Sequence, residues 1–151
     1  MSKNLLNSLP DIVWDSLLAK SNGGNTPMKY LYNIVRLFDD DVEKLFLLKI
    51  PVSKSLYKEH GVKFYGKEYF NIPLHREHII EVEKRVKKII TLIKRRGYNK
   101  EQTYQWLIDT LYLVYKSKEE HNESLNGGKN AEKECLSEDL YRKEKWEVFQ
   151  I

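Results

Sequence analysis

Eight basic residues and no acidic one lie between positions 84 and 100: Lys84, Arg85, Lys87, Lys88, Lys94, Arg95, Arg96 and Lys100. The whole chain carries only +4, so everything outside this stretch is net acidic. The apolar residues Ile79, Val82, Val86, Ile89 and Ile93 recur at steps of three and four, which predicts one helix over residues 75–96. At 100° per residue, Lys84, Lys88 and Arg95 fall opposite that apolar stripe, with Lys87 and Lys94 on one flank and Arg85 on the other. Arg96 and Lys100 extend the charge into the turn that follows. A helix with an apolar front and a cationic back can neutralise a row of phosphates; such binding is salt-sensitive and reads little sequence. The competing expectation is an ordinary solvated helix face.

Other residues carry weaker signals. Phe64, Tyr65, Tyr69 and Phe70 interleave with Lys63 and Lys67, a mixture that single-stranded nucleic acid uses for stacking and that any half-buried β-hairpin also shows. His75 and His78 stand three apart with Glu81 three further on, a chelating spacing on a helix; a complete zinc site would need His60 or His121 as well, so surface histidines without a metal are expected. Asp39, Asp40 and Asp41 are read as the acidic first turn of a helix. The sequence has no phosphate-cradling Gly-rich loop, no nucleophile elbow and no HExxH pair, and its single cysteine, Cys135, has no neighbouring histidine. No cofactor and no catalytic residue are expected.

A second kind of chemistry is offered near the ends. Trp14, Leu17 and Leu18 on one side, and Trp146 and Phe149 on the other, are large apolar anchors beyond the Gly23-Gly24 and Gly127-Gly128 pairs. Anchors on tethers suit docking into a groove of another protein or a second copy of the chain. Folding back onto the chain's own core is the alternative.

The elements that must position these groups follow from periodicity. An amphipathic helix is predicted over residues 8–20, a flexible break over 21–25, and a helix over 27–38 whose stripe is Leu31, Ile34, Val35 and Phe38. A further helix is expected from the aspartate trio to Pro51, with a buried strand over Leu45 to Ile50 as the alternative. Alternation of Val62, Phe64, Phe70 and Ile72 around Gly66-Lys67 predicts a small β-hairpin over 62–72. After the basic helix, Gly97 is the expected C-terminal cap, and Asn99 with Gln102 predicts a capping box opening a helix over 100–116. That next helix is too apolar for the recognition helix of a helix-turn-helix. The fold class is therefore mostly α: a small helical bundle built on an αα-hairpin over 75–116, with one β-hairpin and helical terminal arms. The expected divisions are 1–25, an arm with a Gly-rich linker; 26–116, the helical core; and 117–151, a charged linker with an aromatic C-terminal arm.

A length of 151 residues fits about one domain, and 41% hydrophobic with 32% charged residues provides a core rather than wholesale disorder. No apolar run approaches the roughly 18 residues of a membrane span, and residues 1–9 lack a secretory h-region, so a cytoplasmic protein is expected. Abundant Lys, Asn, Ile and Tyr are what AT-rich codons favour, as in phage, plasmid or low-GC bacterial genomes. The sequence thus implies a non-catalytic binding protein contacting nucleic-acid phosphates, of DNA or RNA, in an accessory or regulatory role. The rival class is a structural or adaptor subunit of a multi-protein assembly, of the kind a phage or mobile element encodes, docking or forming homo-oligomers through its arms.

Overall fold

The computed structural model describes residues 8–45, 56, 58, 59, 61, 74–78, 80–117, 148 and 149. Four helices and two strands occur among them: α1 (Asp11–Ser21), α2 (Met28–Leu45), β1 (Leu74–His78), α3 (Val82–Arg96), α4 (Lys100–Asp109) and β2 (Leu113–Ser117). The described residues are mostly helical, and none of their helices is long and apolar enough to cross a membrane. The chain divides into two compact units. One holds residues 1–48, 82–111 and 148–151; the other holds 49–81 and 112–147.

The first unit is a small helical bundle in which α1 packs on α2 and α3, α2 packs on α3, and α3 packs on α4. Its core is the sum of the apolar stripes: Leu9, Val13 and Leu17 from the first segment; Leu31, Ile34, Val35, Phe38 and Val42 from α2; Val82, Val86, Ile89, Leu92 and Ile93 from α3. Trp106, Leu107 and Leu111 close it from the α4 side. Phe38 and Tyr104 meet edge to face with ring centroids 6.1 Å apart, the favoured geometry for two quadrupoles, and burial raises the Tyr104 phenol above its ordinary pKa.

The helix ends are set by local chemistry. α1 starts at Pro10, whose carbonyl accepts from the amides of Val13 and Trp14. It ends in a Schellman motif: Gly23, at φ +90°, donates to Lys20 O, and Gly24 donates to Ala19 O. A Cβ at Gly24 would sit 2.8 Å from Ala19 O, so the tight return needs glycine there. What reads in sequence as a flexible break at 21–25 is thus an ordered cap. The expected capping box is present, with Gln102 N–H donating to Asn99 Oδ1 at 2.8 Å and Asn99 N–H to Gln102 Oε1 at 2.9 Å. Asn99→Ala should therefore destabilise the protein by about 1 kcal/mol, read by chemical denaturation, with Asn99→Asp or Asn99→Ser retaining most of it.

Three sequence expectations are corrected by these elements. First, α2 is continuous, so Asp39, Asp40 and Asp41 lie inside a helix rather than opening one. No Gly or Pro interrupts residues 28–45, and the apolar stripe carries straight through from Phe38 to Val42. Second, the segment expected to begin a helix at 75 is strand β1, and the helix starts at Val82. His75 and His78 therefore lack the helical spacing a chelating pair requires. Third, α4 stops at Asp109 instead of running to 116. Thr110 turns its hydroxyl back onto Trp106 O at 2.8 Å, and the β-favouring run Leu113-Val-Tyr becomes β2.

In the second unit, β1 and β2 form an antiparallel ladder with Leu74 opposite Ser117, Arg76 opposite Tyr115, and His78 opposite Leu113. The αα-hairpin is accordingly shorter than expected, and each of its outer ends continues into a strand of this pair. The hairpin expected over 62–72, the linker expected beyond 117, Cys135 and Trp146 lie outside the described residues.

Candidate nucleic-acid interface

The charged face belongs to α3. Lys84, Lys87, Lys94, Arg95 and Arg96 are exposed, and Lys88 is half-buried. They are held there because Val82, Val86, Ile89 and Ile93 bind the opposite side of the helix into the core. Glu83, at the start of the helix, is the one exposed acid on α3 and lies four residues before Lys87, a favourable helical pairing. Lys94, Arg95 and Arg96 occupy the last turn, where the carbonyl end of the helix favours cations.

Arg85 departs from this face altogether. Its side chain is 0% exposed and pairs with Asp39 of α2, which is 1% exposed. Nη1 donates to Asp39 Oδ2 at 2.6 Å and Nη2 to Asp39 Oδ1 at 3.1 Å, the bidentate fork that guanidinium and carboxylate favour. The remaining donors go to α4 and the residue that caps it: Nη2 to Leu107 O at 2.6 Å and Nε to Thr110 Oγ1 at 3.0 Å. These contacts explain why α4 can end where it does. In a longer helix Leu107 O would accept from the Leu111 amide, but that amide goes to Ile108 O, and Arg85 takes the freed carbonyl. Arg85 is thus a structural cation tying three helices together, and it is removed from the phosphate-binding set.

Lys100 is also engaged. Its ammonium lies 2.6 Å from Asp11 Oδ1 and ties the start of α4 to the first turn of α1. The hydrogen bond first, and the opposite charge second, hold the Asp11 carboxyl below its ordinary pKa. Both groups reach solvent, so the pair adds little stability, but Lys100 is less available to a phosphate than the α3 cations.

No family model matches this chain, and no curated protein and no solved structure is significantly similar to it.

Of the terminal anchors, Trp146 lies outside the described residues, and Trp14, Leu17, Leu18 and Phe149 belong to the first unit. Leu17 is fully buried in the chain's own bundle, Trp14 and Leu18 are half-buried, and α1 packs on α2 and α3, so this segment is core rather than a free arm. Phe149 stacks at a tilt on Trp106, 6.1 Å between centroids, and the Trp106 indole N–H donates to Val148 O at 3.2 Å. Phe149 therefore also engages its own chain. Among the described residues no three His, Cys, Asp or Glu side chains converge in a metal-binding cluster.

The residue whose role helical arithmetic alone misreads is Asp39. Its partner Arg85 carried a readable signal: Ile89 and Leu92, four and seven positions on, put Arg85 on the edge of the apolar stripe, away from Lys87 and Lys94. Which acid meets it depends on how α2 crosses α3, which no single-helix pattern contains.

Proposed function

We propose that this is a non-catalytic, intracellular binding protein that holds nucleic-acid phosphates on the outer face of α3 in an accessory or regulatory role. The observation that carries this reading is the set of exposed cations Lys84, Lys87, Lys94, Arg95 and Arg96 on one helix in a chain whose remainder is net acidic. A rigid helix fixes their mutual spacing, so neutralising several phosphates costs little ordering entropy beyond that of the side chains themselves. The working set excludes Arg85, whose donors are committed inside the bundle, and draws little on Lys100.

The test is fluorescence anisotropy of labelled DNA and RNA at two salt concentrations, beside the triple variant Lys84→Glu, Lys87→Glu, Arg95→Glu. At a slope of about −0.9 per phosphate, about five contacts predict a roughly 500-fold loss of affinity between about 50 and 200 mM salt. The triple variant should abolish binding while keeping its thermal unfolding transition, since all three side chains are exposed. Absence of binding by the parent protein at the lower salt overturns the reading.

A further inference from the structure

The cations of α3 are not spread evenly. On its outer face Lys84 and Lys87 form one group and Lys94 and Arg95 another, and between them Thr91 is the exposed residue. The centres of the two groups are nine residues apart, which is about 13.5 Å along the helix axis at roughly 1.5 Å per residue. Resting on the reading above, we infer that α3 lies across the major groove of B-form duplex DNA, each cationic group meeting the phosphate row of one strand. That groove is about 12 Å wide, so the two groups match the separation of its two walls. A-form RNA has a deep, narrow major groove instead, and a flexible single strand has no fixed pair of phosphate rows to match.

Two further features fit a duplex rather than a single strand. Residues 82–96 contain no aromatic side chain, so the face offers no platform on which unpaired bases would stack. At the centre of the span, the Thr91 hydroxyl donates to Lys87 O at 3.1 Å, so the face's midpoint offers no charged or amide group for base edges. The contact is therefore to the two backbones and is independent of base sequence.

The experiment measures affinities of the full chain for a short mixed-sequence duplex DNA, the duplex RNA of the same sequence, and the corresponding DNA single strand at equal salt. A charge-conserving variant, Thr91→Arg with Arg95→Thr, moves one cation into the gap and leaves the net charge unchanged. Duplex DNA should bind several-fold more tightly than either other ligand. The variant should lose several-fold in duplex affinity while its single-strand affinity stays at the parent's value. Equal affinity for single-stranded DNA or duplex RNA, or a variant with full duplex affinity, overturns the groove-spanning inference and leaves phosphate binding by α3 standing. Binding to none of the three ligands overturns the functional reading itself, and the inference with it.

Discussion

Asp39→Ala should lower the unfolding free energy by about 3–5 kcal/mol, read as a displaced midpoint in urea denaturation with an unchanged slope. The size follows from what is left behind. Arg85 is 0% exposed, and without Asp39 it is a buried guanidinium with no counter-charge. The bundle must therefore either admit water or swing Arg85 outward, and the second route breaks the guanidinium's bonds to Leu107 O and Thr110 Oγ1. The paired change Asp39→Leu with Arg85→Met removes both charges and should recover most of the loss. Full recovery is not expected, because Leu107 O then keeps only the long 3.4 Å contact from the Thr110 hydroxyl, and a poorly satisfied buried carbonyl costs up to about 1–3 kcal/mol. A double variant as stable as the parent would show that Arg85 does not serve as the cap of α4. A single Asp39→Ala variant within about 0.5 kcal/mol of the parent would show that water already reaches the pair.

The same network marks the limit of what the sequence discloses. The helices of the first unit are legible because each needs only a pattern within itself: the stripe of α3 at steps of three and four, the Asn99–Gln102 box, and Gly97 at φ +65° accepting the left-handed turn that ends α3. The exposed cations are legible for the same reason, since any residue opposite a buried stripe faces solvent. The errors fall where tertiary partners decide. Asp39 reads as a helix opener because acids favour first turns, yet it belongs inside α2 because a cation on another helix requires it there. Residues 113–117 continue a helical stripe on paper but become β2, since their hydrogen-bonding partner is β1, more than thirty residues earlier in the chain. Terminal anchors are ambiguous for a related reason: Leu17 and Phe149 have the composition of docking residues, and only the burial of Leu17 in the bundle and the ring contact of Phe149 with Trp106 show that each engages its own chain.

Trp106→Ala should cost about 3–5 kcal/mol, the usual range for removing a large buried aromatic, because Trp106 is 3% exposed. Its more informative use is to separate packing from tethering. Trp106→Phe keeps much of the ring but loses the N–H donated to Val148 O, and should cost about 1 kcal/mol with a further loss for the smaller ring. Phe149→Ala removes the other half of the contact while leaving the Val148 carbonyl in the backbone. If residues 148 and 149 are held on the first unit through this one indole, the two changes are not additive, and a double-mutant cycle should give a coupling of about 0.5–1.5 kcal/mol. The hydrogen bond and the ring contact then act as one clamp: losing the N–H loosens the backbone that carries Phe149, so the second substitution has less left to remove. Additive losses would mean that Phe149 and Val148 are held independently. The clamp also bears on function. Because it involves α4 rather than α3, Phe149→Ala should leave the salt dependence of phosphate binding at its parent value, and a changed slope would show that the C-terminal residues reach the basic face.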